Sequence, residues 1–149
     1  MHTQTMQHSR FNRSYTVTDT DLNHYGTIHG GRLLTLCDET AYCAAKKLTR
    51  HICLTRAVHR ARFHRAAHQD EKVTISAVVG LTGNTSLWVA VEVTSVVQKA
   101  CIMDAVFVFA AVNVNRQPQQ VVKVLAESPE ETMLQEQLVA LRNQVLSNP

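Results

Sequence analysis

Residues 30–48 carry one long helical pattern, and four strand-like segments follow it with no second helix before residue 128. At ~100° per residue, Leu33, Cys37, Ala41, Ala44 and Leu48 fall on one stripe, with Glu39, Lys46 and Lys47 on the far side. Asp38 stands at the shoulder of the apolar stripe, beside Leu34 and Ala45. Residues 72–81 align Val73, Ile75, Ala77 and Val79 on one face. After the turn signal Thr82-Gly83-Asn84-Thr85, residues 86–97 align Leu87, Val89, Val91 and Val93. Residues 52–64 alternate, with Thr55, Ala57, His59, Ala61 and Phe63 on one face and Arg56, Val58, Arg60 and Arg62 on the other. Residues 100–114 are apolar on both faces, which predicts a strand buried on both sides. One helix can cover only one face of an antiparallel sheet. Another subunit is the economical cover for the other.

Two further elements complete the pattern. Residues 11–18 alternate and contain β-formers, predicting a first strand. Ser128-Pro129-Glu130-Glu131 combines an N-cap, a first-turn proline and a capping-box glutamate. It opens a helix over about 129–147, where Leu134, Leu138, Leu141 and Val145 recur at helical spacing. That helix packs on the sheet or on a neighbouring chain. The expected class is α+β, with an antiparallel sheet of five to six strands around one long helix, plus a C-terminal helix. Residues 1–12 read as a flexible N-terminal segment, 13–127 as the domain and 128–149 as the terminal helix.

With 149 residues, 45% hydrophobic and 18% charged, the chain suits one soluble globular domain and not a disordered one. Its formal charge is only +3, but Arg56, Arg60, Arg62 and Arg65 cluster with His59, His64 and His68. Three Tyr, four Phe and one Trp offer little stacking surface, so the cluster argues against nucleic acid and suits a small polyphosphate ligand. No apolar run is long enough to span a bilayer, and residues 1–12 lack an apolar leader core. Cys37, Cys43, Cys53 and Cys101 form no C-x-x-C pair and read as reduced thiols of a cytoplasmic protein.

The chemistry concentrates in Asp21-Leu-Asn23-His24-Tyr-Gly26-Thr-Ile-His29-Gly30-Gly31, which runs directly into the helix. A helix N-terminus offers unpaired N–H groups and partial positive charge, and glycines let a ligand approach them. Gly31 N–H, with Gly30 behind it, is the expected oxyanion donor. Asp38, two turns inside, is the expected general base or nucleophile. His24 and His29 have no third ligand at zinc spacing, so no metal or other cofactor is expected. His29 is expected to shape the loop or line the site.

On the motif D-x-N-x-x-G-x-x-H-G-G…D-E, the chain resembles the hotdog-fold acyl-CoA thioesterases, in their broad-range acyl-CoA hydrolase branch. The resemblance spans roughly residues 13–147 and includes Ala44-Ala45-Lys46, Thr55 to Phe63, Thr82-Gly83-x-Thr85-Ser86, Phe107-x-Phe109 and Asn115-Arg-Gln-Pro118. It implies hydrolysis of acyl-CoA by Asn23 and Asp38 acting as a pair across a dimer interface. It also implies homo-oligomers built from dimers, commonly a trimer of dimers. Substrate contacts are expected from His29, Thr85, Ser86, Arg60, Arg62 and Arg65. The arginines matter because the family's hairpin Arg, a plausible phosphate contact, is replaced by Asn84. His59 replaces the family's usual Asp, and Asp70 stands near a usual Gly. Two other readings compete: a non-hydrolytic acyl-CoA sensor or structural subunit, and a hotdog dehydratase using a His and a carboxylate.

Overall fold

The computed structural model describes residues 2–147. Its centre is α2 (Gly30–Thr49), which lies across a five-stranded antiparallel sheet. The strands are β2 (Phe11–Thr16), β3 (Ile52–Phe63), β4 (Lys72–Thr82), β5 (Ser86–Ser95) and β6 (Cys101–Val112), in spatial order β2-β4-β5-β6-β3. Leu33, Leu36, Cys37, Thr40, Ala41, Ala44, Ala45 and Leu48 form the buried face of the helix. They meet the inward side chains of the sheet, among them Val89, Val91, Phe107 and Phe109. Buried Thr40 donates its hydroxyl to the Leu36 carbonyl, so that polar group is satisfied within the interface. One helix wrapped by one sheet is the expected hotdog architecture.

The N-terminal residues depart from the expected flexible segment. β1 (Thr3–Thr5) pairs in parallel with β7 (Lys123–Leu125), and α1 (Met6–Ser9) turns the chain towards β2. Met6 is fully buried, and the Ser9 hydroxyl donates to the Met6 carbonyl while accepting from Val79 N–H. The strand partner lies over a hundred residues away, which is why local alternation does not reveal it.

β3 also departs from simple alternation. Its pairing with β6 slips between Thr55 and Ala57 and again between His59 and Arg62, and Arg60 takes φ 53°. Each bulge reverses which side chains face inward. Thr55 pairs with Phe109 on the helix side, whereas Ala57 pairs with Val108 and His59 with Val106 on the outer side. There the His59 ring stacks on Trp88, 5.7 Å between centroids. Asp70 takes φ 68°, a left-handed conformation that Asp tolerates better than most residues.

The outer sheet face is covered within the same chain. α3 (Pro129–Ser147) lays Leu138 and Leu141 against Leu81, Trp88 and Val108. Its first turn is fixed by Glu131 N–H donating to Ser128 Oγ and by the Glu131 carboxylate accepting from Glu127 N–H. Gly80 permits this approach, because a Cβ there would stand 2.5 Å from Leu138 Cδ1. The two-sided apolar character of β6 therefore needs no second subunit beneath α3. Among the described residues no helix is long and apolar enough to cross a membrane. Truncating Leu138 to Ala is expected to cost about 2–5 kcal/mol, read as a lowered urea midpoint with unchanged slope.

Candidate active site

The loop before α2 is organised around a buried carboxylate. Asp21 closes a 3-10 turn (Asp19–Asp21) and is 5% exposed. Its Oδ2 accepts from Tyr15 Oη at 2.6 Å, Thr18 N–H at 2.8 Å and Thr18 Oγ1 at 3.0 Å, and its Oδ1 accepts from Arg32 Nε at 3.0 Å. Its carbonyl accepts from His29 N–H at 2.8 Å. Asp21 thus ties the loop's start, its end and the first turn of α2 together. Burial alone would raise its pKa. The bonds from Tyr15, Thr18 and Arg32 outweigh that and bring it from 3.8 down to about 2.

The loop delivers the histidine and glycines with a division of labour the sequence does not show. His29 is the N-cap of α2, and its Nδ1 accepts the Gly31 N–H at 3.1 Å. The expected oxyanion donor is therefore already engaged. Gly30 N–H, by contrast, has no acceptor among the described residues. Gly30 itself lines a cleft of about 370 Å³ together with Ile28, Leu33, Phe63, His64, Arg65 and Ala66. A Cβ on Gly30 would stand in ordinary contact with the Phe63 ring at 3.5 Å, so the end of β3 packs directly on this turn.

Asp38 is half-buried on the side of α2 that faces edge strand β3. Thr55 Oγ1 donates to its Oδ1 at 2.7 Å. Sequence reasoning missed Thr55 as a site residue, since the bulge that separates its face from Ala57 and His59 is invisible in the alternation. Asn23 is elsewhere. Its Oδ1 accepts from Tyr25 and Thr27 N–H, and its Nδ2 donates to Thr27 Oγ1, so within one chain it is a loop-former. Eight residues of helix separate Gly30 from Asp38, about 12 Å at 1.5 Å per residue. Within one chain, Asp38 and the Gly30 amide are therefore too far apart to meet at one reacting atom.

The basic cluster also divides. Arg65 lines the Gly30 cleft. Arg60 donates to Gln144 of α3 and Arg62 pairs with Asp104, and both line a groove beside Leu138 and Leu141 on the outer face. They do not join Arg65, because the β3 bulge at Arg60 turns the chain between them. Thr85 and Ser86 sit at the β4–β5 hairpin, beside a cleft of about 540 Å³ lined by His2, Gly83, Asn84, Gln120 and Lys123. Lys123 brings a cation to the hairpin that Asn84 does not supply.

The Asp21 clamp has a pH signature. Its folded pKa is depressed, so the stabilisation is complete above about 3.8 and is lost as pH falls towards 2. Asp21→Asn should therefore be less stable than the parent by about 2 kcal/mol at pH 7, with the difference shrinking between pH 4 and 2 in denaturant titrations.

The chain is similar to known proteins in sequence and in fold. The pattern of the thioesterase superfamily matches residues 25–102, which include the Gly30-Gly31 turn, Asp38 and Thr55. An uncharacterised acyl-CoA thioester hydrolase of Bacillus subtilis is 26% identical over 128 residues, covering 83% of this chain and 74% of the relative. A hexameric acyl-CoA thioesterase superposes with a TM-score of 0.91 at 26% identity, over 97% of this chain and 95% of that one. An acyl-CoA hydrolase from Staphylococcus aureus, solved with butyryl coenzyme A, coenzyme A and coenzyme A disulfide, superposes at 0.87 with 22% identity, over 97% and 90%. That hydrolase has also been solved with an Asn, an Asp or a Thr changed to Ala. Since the superfamily pattern takes in more than half of the chain, and takes in the helix with its glycine turn and carboxylate, the chain belongs to the thioesterase superfamily.

Proposed function

We propose that the protein hydrolyses the thioester bond of acyl-CoA to a carboxylic acid and coenzyme A, at sites each shared by two copies of the chain. The observation that carries this reading is the Asp38 carboxylate held by Thr55 on the same helix whose N-terminus leaves the Gly30 amide open. Water attacks the thioester carbon, Asp38 takes its proton, and the carbonyl oxygen becomes an oxyanion facing Gly30 N–H. Collapse expels the coenzyme A thiolate, which is protonated. Direct attack by Asp38, through a mixed anhydride that water then opens, uses the same groups. Water is the second substrate in both routes, so neither calls for a metal or organic cofactor.

The separation of about 12 Å between Gly30 and Asp38 supports a shared site, because a carbonyl held by the amide must also lie in direct contact with the carboxylate or within one water of it. Apposing two α2 helices antiparallel about a twofold axis sets the N-terminal turn of one beside the middle of the other. The outer edge of β3 has no partner strand among the described residues, which suits joining two sheets along that edge. Asn23 of one copy then orients the water or the carbonyl towards Asp38 of the other. The hexameric state of the relative supports assembly of three such dimers. Phosphates of coenzyme A find cations at Arg65 in the Gly30 cleft and at Lys123 beside the hairpin of Thr85 and Ser86. Four unpaired thiols suit a reducing, cytoplasmic setting.

Thiol release from a panel of acyl-CoAs tests the reading. Asp38→Ala is expected to lower kcat roughly 10²–10⁴-fold, and Thr55→Val about 3–10-fold. Wild type that binds acyl-CoA tightly yet releases no thiol would make this a binding protein. Co-expressing Asp38→Ala with Asn23→Ala tests the shared site separately. Mixed dimers contain one intact site, so activity should return to about a quarter of wild type; mixtures as inactive as their parents would place each site within one chain.

A further inference from the structure

A second cluster of chemistry lies at the start of β6, where three side chains converge that the reaction above does not use. His64 Nε2 stands 3.0 Å from Asp104 Oδ2, and the ligating atoms of His64, Cys101 and Asp104 all lie within 4.8 Å of one another. We infer that these three residues form a binding site for a divalent transition metal of zinc type. Nitrogen, sulfur and oxygen donors together suit a borderline-soft ion better than magnesium or calcium, which prefer all-oxygen shells. A tetrahedral zinc with bonds near 2.0–2.3 Å needs donors roughly 3.3–3.7 Å apart, so closure takes side-chain movements of about 1 Å.

The backbone beneath the cluster is already set for this. Cys101 and Asp104 belong to β6, and the Ile102 carbonyl between them accepts the amides of both His64 (2.7 Å) and Arg65 (3.3 Å). His64 directly follows the last residue of β3, so the three ligands share one hydrogen-bonded corner where β3 ends beside β6. A fourth position stays open to water or to Glu92, which pairs directly with Asp104 across β5 and β6. The local field also suits a cation. Glu92 and Asp104 bring negative charge to the Cys101 side of this corner. The same negative charge attracts a metal ion, which then displaces the thiol proton into solvent. Arg62, 3.3 Å from Asp104 and 64% exposed, competes for the carboxylate and must swing aside. His64 also lines the cleft of Gly30, Phe63 and Arg65, so a bound ion would pin the wall of that cleft.

Cobalt(II) is the probe, added to the full-length protein after chelator treatment. One saturable equivalent per chain is expected, with a thiolate-to-metal charge-transfer band and the ligand-field bands of a four-coordinate ion, all displaced by zinc. Cys101→Ser should lose the charge-transfer band, and His64→Gln should weaken binding at least about tenfold. Arg62→Gln should tighten it by removing the competing cation, whereas Cys43→Ser should behave as wild type. Absence of saturable binding, or a charge-transfer band that survives in Cys101→Ser, would overturn the site. These readouts do not require turnover, so they stand or fall apart from the thioesterase reading.

Discussion

Close packing of α2 against the sheet is the constraint on which the rest of the molecule depends. The helix buries a face rich in small residues, Cys37, Thr40, Ala41, Ala44 and Ala45, against strands that present Phe107, Phe109 and a row of valines. Small side chains on one partner and large ones on the other let the layers interlock at crystal-like density. Because the helix cannot rotate without breaking that fit, the residues at its shoulders are aimed. Asp38 is turned to edge strand β3 and meets Thr55, while the N-terminal turn meets the end of the same strand at Phe63.

A buried charge fixes the other half of the site. Asp21 sits among groups that all donate to it, so its negative charge is satisfied by Tyr15, Thr18 and Arg32 and not left to solvent. That arrangement ties a loop of polar residues to β2 and to the first turn of α2, with Asn23 and Gly26 shaping its tip and His29 capping the helix. The engaged Gly31 amide and the open Gly30 amide follow directly from that cap. Preorganisation of this kind matters because an oxyanion donor is effective only if it is aimed before the charge develops.

Much of this was legible in the residues. The helix and strands declared themselves by period, and the motif from Asp21 to Asp38 marked both the resemblance and the chemistry. Other features hid for identifiable reasons. β1 is three residues long and pairs with a strand near the other end of the chain, so no local window reveals it. Two bulges in β3 reverse its faces, which separated Thr55 from His59 and scattered the arginines that sequence proximity had grouped. Lys123 reaches the hairpin cleft, and His64 reaches Cys101 and Asp104, only through folding.

By itself the sequence determined the class of the fold, the helix with its glycine turn, and the carboxylate suited to acyl chemistry, because periodicity and local motifs are properties of neighbouring residues. Tertiary structure alone decided which glycine amide is open, that Thr55 holds Asp38, that α3 covers the outer sheet face, and which cations share a cleft. Those are outcomes of register, bulges and long-range packing. A one-residue slip in a strand reverses every side chain that follows, so no reading of the residues in order can settle them.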